Sequence, residues 1–240
     1  MKKAIIIGAT SGIGEALAKE LVQHDYIVGI TGRREDRLKD IQQQYPDKIQ
    51  YKVMDVSQIS SAIKRFHQLI EMLGGVDLVV VNAGVGIPNP DVEWENDRKM
   101  IVVNVLGFTA ICDEAMQYFI KQGAGHLVGI SSIAALFGHR ESSVYNASKA
   151  YVSNFLQGMR NNIKHRKIPV TVTDIKPGFV DTPLVEEQEG MFWVASPEKA
   201  ALQIYQTIEK KRDHGYVTRR WRLIAWVIKS MPDIIFKRLL

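Results

Sequence analysis

Short apolar runs recur along this chain, and longer stretches with apolar residues at helical spacing follow most of them. Runs over residues 2–7, 27–31, 49–53, 78–81, 126–131, 170–175 and 215–218 read as strands. Stretches over 12–24, 35–45, 60–73, 97–121 and 145–165 read as helices between them. Most strands are apolar throughout rather than alternating, so both of their faces must be covered. Strands joined through helices pair in parallel, and right-handed crossovers put helices on both sides of the sheet. The expected fold is α/β, a doubly wound parallel sheet in three α/β/α layers, with ligands beyond the carboxyl ends of its strands. At 240 residues it is one domain with a full core. Residues 1–218 are expected to form it, and 219–240 a basic amphipathic C-terminal extension.

The first strand runs into Gly8-Ala9-Thr10-Ser11-Gly12-Ile13-Gly14, and Ile13, Ala16, Leu17 and Leu21 then open a helix. Glycines between a strand and a helix let backbone approach a pyrophosphate, whose charge meets the helix N-terminus. The same residues suit a tight turn without a ligand. Their spacing, with the second glycine four positions after the first, is not the commonest dinucleotide fingerprint. Farther on, Tyr145 and Lys149 lie four apart on a predicted helix and share a face. Ser132 precedes the tyrosine by thirteen positions, at the end of an apolar run. A phenol titrates near pH ~10, and a nearby ammonium favours the phenolate. Such a phenol can protonate a carbonyl oxygen being reduced or deprotonate an alcohol being oxidised, while a serine hydroxyl holds that oxygen in register. Tyrosine and lysine at this spacing also occur on ordinary helices, the ring packed under the aliphatic stem.

Taken in order, these motifs resemble the short-chain dehydrogenase/reductase family, and the similarity extends to about Thr218. The turn carrying Gly8, Thr10, Ser11, Gly12, Ile13 and Gly14 is similar to the family's cofactor loop. Asp55-Val56 resembles the pair that contacts the adenine, and Asn82-Ala83-Gly84 the turn that flanks the cofactor. Asn104 is similar to the helix asparagine that forms a tetrad with Ser132, Tyr145 and Lys149. Pro177-Gly178, followed by Val180 and Thr182, resembles the segment that touches the nicotinamide amide. The resemblance implies a Rossmann-type fold and a nicotinamide-dependent interconversion of a carbonyl and an alcohol. It gives Tyr145 the role of general acid/base. Lys149 would lower the phenol's pKa and hydrogen-bond the nicotinamide ribose. Ser132 would position the reacting oxygen, and Asn104 would support a water and proton relay. The offset to Tyr145 selects Ser132 over Ser131, which reads as a neighbour lining the cofactor cleft. A helix-side hydrogen bond without a catalytic part also suits Asn104. The alternative function is a catalytically silent dinucleotide-binding sensor or scaffold, which has no need of all four residues.

The choice of dinucleotide is read at the end of the second strand. An acid there accepts from a ribose 2′-hydroxyl and repels a 2′-phosphate. This chain has Thr31-Gly32-Arg33-Arg34, with glycine in the acid's place. Arginine grips phosphate through its planar fork. NADP(H) is therefore favoured over NAD(H), with Arg33 as the first contact and Arg34 as the second, while Asp36 points away on the first helical turn. Both arginines also suit a solvated helix start. Beyond Gly178 lies a segment with Glu186, Glu187 and Glu189 in one part and Met191-Phe192-Trp193 in another. As an apolar lid it would exclude water and favour an apolar ketone or aldehyde. The aromatics equally suit packing on the body or on a neighbouring subunit. Residues 137–141 are expected to line the pocket, with His139 and Arg140 meeting a polar group or solvent. Ser196-Pro197 reads as an N-cap and a first helical residue.

Composition, 46% hydrophobic and 24% charged, is that of an ordinary globular protein. The one cysteine, Cys112, rules out an intrachain disulfide and lies on an apolar helical pattern, so it reads as core. Six histidines are scattered without metal-ligand spacing, and no metal is expected. The opening Met1-Lys2-Lys3 precedes an apolar run too short for a signal peptide, and no run approaches the length of a spanning helix. The expected location is cytoplasmic, at the membrane surface if the tail binds there. From residue 210 onward the chain has nine Lys/Arg and two Asp, a net +7 against +5 for the whole. Trp221 and Trp226 lie among these cations, which suits an interfacial helix on an anionic membrane. Packing on the body or on a dimer mate suits it as well. No nucleic-acid motif accompanies the charge. The resemblance implies a homodimer or homotetramer.

Overall fold

A computed structural model of the chain describes residues 1–183 and 192–230. Along its first strand, β1 (Lys3–Ile7), Ile5 and Ile7 join one core cluster while Ala4 and Ile6 join another, because successive strand side chains point to opposite faces. Both clusters exclude water, which is why the strand is apolar throughout. β4 (Leu78–Val81) divides in the same way, Leu78 and Val80 against Val79 and Val81.

The remaining strands are β2 (Ile27–Gly32), β3 (Ile49–Val53), β5 (Gly125–Ile130), β6 (Val170–Pro177) and β7 (His214–Val217). All pair in parallel in a seven-stranded sheet of order β3-β2-β1-β4-β5-β6-β7. The helices are α1 (Gly12–Gln23), α2 (Glu35–Gln44), α3 (Ile59–Leu73), α4 (Trp94–Ile101), α5 (Phe108–Gln122), α6 (Ser143–His165), α7 (Pro197–Glu209) and α8 (Trp221–Ser230). Helices α1, α2 and α7 cover one face through Leu17, Leu38 and Ile204; α3, α5 and α6 cover the other through Phe66, Phe119 and Leu156. This is the expected Rossmann-type, three-layer fold. Strand order reverses between β1 and β4, and the crevice beyond their carboxyl ends is where such sheets bind ligands.

Element limits moved in two instructive places. The helix expected over 97–121 starts at Trp94 and runs to Gln122 through a π-helical turn, Val102–Gly107, that joins α4 to α5. By length and composition alone this continuous helix is long and apolar enough to cross a membrane, with a mean hydropathy of 1.3 over its best window. That corrects the expectation that no segment qualifies. Its apolar stripe, including Ile111, Ala115 and Phe119, is buried against the sheet, so it is a core helix. Cys112 lies in that stripe as expected. At α7, Ser196 caps as its sequence predicts, its hydroxyl accepting from the Lys199 amide at 3.2 Å with Pro197 in the first turn.

Candidate active site

The glycine turn works by removing side chains from a crowded place. Gly8 and Gly12 hold positive φ angles of 86° and 58°. A Cβ on Gly8 would sit 2.7 Å from the Ala83 Cα, and one on Gly14 would collide with the Gly8 carbonyl. The Asn82 amide donates to that carbonyl at 2.5 Å, so the turns after β1 and β4 are locked together. Beside them is a cleft of about 410 Å³. Of the expected cofactor residues, Gly8, Thr10, Ser11, Gly12, Ile13, Arg33, Arg34, Asp55, Val56, Asn82, Ala83, Gly84 and Thr182 line it.

Six expected cofactor contacts do not line that cleft, and two of them, Tyr145 and Lys149, lie on α6 outside its lining. Gly14 packs α1 onto the turn instead. Pro177 is buried at the end of β6. Gly178 is covered by the Trp221 indole. Val180 is 3% exposed and bridges to Ala195. Ile7, Thr31, Met54, Val85, Val103 and Pro183 complete the lining and were not foreseen. Ile7, Thr31 and Met54, at strand ends, carry a sequence signal for this.

At the β2 end, Gly32 leaves no room for an acid, because a Cβ there would run into the Thr10 methyl group. Arg34 donates through Nε and Nη2 to the Thr10 hydroxyl at 3.2 and 2.8 Å, and through Nη2 to Ser11 at 2.7 Å. Arg33 is exposed and lines the cleft. The Thr31 hydroxyl is buried without a hydrogen-bond partner. Ser11, the N-cap of α1, makes no capping bond through its side chain.

The second half of the site is built on β5, α6 and the π turn. Ser132 is the N-cap of a 3₁₀ turn, Ile133–Leu136, and accepts from the Ala134 amide at 3.1 Å. Tyr145 and Lys149 sit one turn apart on α6, and the Ser132 hydroxyl is near enough to the phenol to favour its ionised form. The Lys149 ammonium donates to the Ile130 carbonyl at 3.1 Å and lies 5.8 Å from the Tyr145 ring centroid. Asn104 is 1% exposed; its side chain accepts from the Val85 N–H and donates to the Val85 carbonyl, both at 2.8 Å, and donates to Ser148 at 3.1 Å. The helix-side role open to Asn104 in the sequence is therefore a clamp on the turn after β4. Gly84 joins the two halves: a Cβ there would lie 3.2 Å from Lys149 Nζ and 3.4 Å from Asn104 Oδ1.

Two electrostatic expectations change. Burial pushes the Tyr145 phenol above its ordinary value, and the opposing influence is the Ser132 hydroxyl rather than Lys149. Burial pulls Lys149 down to about 8, against the Asp174 carboxylate, which favours its charged form. Ser131 does not line the cleft; its hydroxyl turns inward to Asp174 and to the Ile175 carbonyl. Asp174, fully buried, also accepts from Ser153 at 2.7 Å and pairs with buried Lys176. Sequence reading missed this network, because nothing in an isolated strand shows that Asp174 faces three neighbours.

The surroundings of Ser132 are apolar. Trp221 and Ala225 of α8 cluster with Ile133, Leu136 and Phe179. Phe192 lies tilted against Trp221 and Trp193 meets it edge to face, with centroids 5.1 and 6.0 Å away, so these aromatics pack on the body. The acidic part of the proposed lid and Met191 lie outside the described residues. Phe137, Gly138 and His139 line a separate hollow with Ser143, Ala147 and Ala150, on the opposite face of α6 from Tyr145 and Lys149.

A family model for short chain dehydrogenases matches residues 2–191. An uncharacterized oxidoreductase of Staphylococcus epidermidis is 32% identical over 187 residues, which are 77% of this chain and 80% of the relative. A short chain dehydrogenase/reductase from Burkholderia phymatum in complex with NAD superposes with a TM-score of 0.84 at 21% identity, over 93% of this chain and 90% of its own. The structure of ElxO with NADP bound gives 0.76 at 24% identity, over 85% and 90%. With its seven-stranded sheet and a family model spanning most of its length, the chain belongs to the short-chain dehydrogenase family.

Proposed function

We propose that this protein is an NADP(H)-dependent oxidoreductase that interconverts an apolar ketone or aldehyde and its alcohol. The observation that carries the reading is that the Ser132 hydroxyl acts on the Tyr145 phenol, with Lys149 one turn along the same helix and behind Gly84. The cleft residues fit a dinucleotide. The first-turn amides of α1, which the Ser11 side chain leaves uncapped, suit a pyrophosphate. The unpartnered Thr31 hydroxyl and the Arg33 guanidinium suit an adenosine ribose carrying a 2′-phosphate. When bound, NADP(H) supplies or accepts a hydride at its nicotinamide ring.

Tyr145 holds the proton that the carbonyl oxygen receives in reduction and takes it back in oxidation. Ser132 both donates and accepts, so it keeps that oxygen against the phenol. The Ser132 hydroxyl favours the phenolate left when the proton leaves, and Lys149, one turn along the helix, would in its charged form hold the nicotinamide ribose. Asn104 acts at one remove, holding the Val85 backbone so that Gly84 stays against the lysine. Ile133, Phe179 and Trp221 supply an apolar wall beside Ser132, which supports an apolar substrate. Exposed Leu106 and Tyr151, on the helices of Asn104 and Tyr145, support a homo-oligomer paired through those helices. The reading places the protein in the cytoplasm, where the dinucleotide is supplied.

The test is NADPH oxidation across ketones and aldehydes of graded size and polarity, with Tyr145→Phe alongside. Turnover should rise with apolar size and fall in the variant by about 10²–10⁴-fold, the range of general acid catalysis, with NADPH binding retained. Equal turnover in the variant removes Tyr145 from the chemistry. NADPH binding with no turnover on any substrate favours a sensor.

A further inference from the structure

Helix α8 is apolar on two opposite sides. At about 100° per residue, Trp221, Ile224, Ala225 and Ile228 fall on one side and Arg222, Leu223, Trp226 and Val227 on the other. The first side is the packed one, with Trp221 4% and Ala225 2% exposed against Ile133 and Phe179. On the second, Leu223 and Trp226 are each 71% exposed and Val227 46%. A surface helix ordinarily turns polar residues outward, so this face is made for something other than water.

Charge identifies what covers it. Arg219 and Arg220 are exposed just before the helix, and Arg222 is exposed on the outward side itself. Arg220 lies over the ring of Trp193, 5.0 Å from its centroid. We propose that the outward face of α8 docks on the surface of an anionic lipid bilayer. Leu223, Trp226 and Val227 enter the boundary between headgroups and acyl chains, and the arginines meet lipid phosphates. Ten residues make a helix of about 15 Å, half the ~30 Å hydrocarbon thickness, so α8 lies in the interface and does not span it. A second copy of this chain is a poorer cover, because a two-fold pair would bring arginine-rich surface onto arginine-rich surface. The inference rests on this face alone and holds whatever the substrate.

The test is co-sedimentation of the full chain with phosphatidylglycerol/phosphatidylcholine vesicles and with phosphatidylcholine vesicles, at low ionic strength. The protein should pellet at least tenfold better with the anionic vesicles, and added salt should weaken the binding. Leu223→Glu/Val227→Glu should abolish pelleting while circular dichroism, NADPH binding and oligomeric state stay unchanged. Arg222→Glu, which alters charge alone, should weaken pelleting severalfold and keeps the test open if the double variant misfolds. Failure of the native chain to pellet with anionic vesicles, equal pelleting on neutral ones, or full pelleting by a folded Glu variant overturns the proposal. A folded double variant that has lost a subunit contact assigns the face to a second copy instead.

Discussion

At the end of β2 the Thr10 methyl fills the space that a side chain on residue 32 would need, so the position cannot carry the acid that selects a free ribose hydroxyl. The neighbouring arginines divide the work differently from the sequence expectation. Arg34 is engaged with Thr10 and Ser11, so under the proposed NADP(H) dependence Arg33 is the residue for a 2′-phosphate. Arg33→Ala should therefore raise the Kd for NADPH about 10–100-fold, as for a lost charge-assisted hydrogen bond, and change NADH binding less than twofold. Titration by fluorescence decides; equal weakening of both would reverse the assignment. Lys149 sets a pH dependence. With its pKa held at about 8 by burial, the ammonium is present below that pH and lost above it. Carbonyl reduction should stay level below pH 7 and decline as pH rises through about 8. Asp174→Asn removes the carboxylate that supports the charged form, so the declining limb should move to lower pH. Unchanged pH–rate profiles would separate the lysine from the chemistry. The positions of Asn104, Ser132, Tyr145 and Lys149 near one end of the sheet were legible because their spacing survives in one dimension. Thr31 and Asp174 were not, since what matters for each is which neighbours a buried hydroxyl or carboxylate finds or lacks.

Among the elements, α8 packs beside the site. Its Trp221 fills the space over Gly178, where a Cβ would collide with the indole, and meets Phe179 edge to face at 5.7 Å. Trp221→Ala should remove about 3–5 kcal/mol from the packing that holds α8 on the body. Hydrogen exchange should report it as loss of amide protection over residues 221–228. Equal protection in both proteins would show that the helix is held by other contacts. The sequence left this extension open between packing and membrane, because both demand the same apolar and basic residues. The folded body resolves part of that choice by giving Trp221 and Ala225 a place to pack. The π turn around Asn104 was not legible either. It arises where Gly107 packs against the Val56 carbonyl, which a Cβ would approach to 2.6 Å, and the partner in that contact is 51 positions away.

For the molecule as a whole, pH acts on stability through a buried histidine. His126, 8% exposed and 2.8 Å from the Thr173 hydroxyl, is pulled down to about 4, chiefly by burial. Its folded-state pKa lies below the unfolded value near 6.5, so the unfolded chain binds the proton more readily. The stability it contributes is present above pH 6.5 and is lost as pH falls toward 4, by about 3 kcal/mol in total. Urea unfolding at pH 7 and pH 4.5 should show that loss, and His126→Gln should reduce the difference. The same pH dependence in the variant would assign the effect to other groups.

The alternation of apolar runs with helical stretches is enough to specify a parallel sheet covered on both faces, since backbone pairing and burial leave few other arrangements. Motif spacing is enough to bring the phenol, the ammonium and the serine hydroxyl to one end of that sheet, because each motif is tied to a strand end or a helix turn. Other properties exist only once distant segments meet. Arg34 turns to the glycine loop, Ser131 turns away from the cleft, Lys149 is shifted by burial beside Asp174, and α8 closes over Gly178. These depend on distance and desolvation in three dimensions, which a linear pattern does not encode.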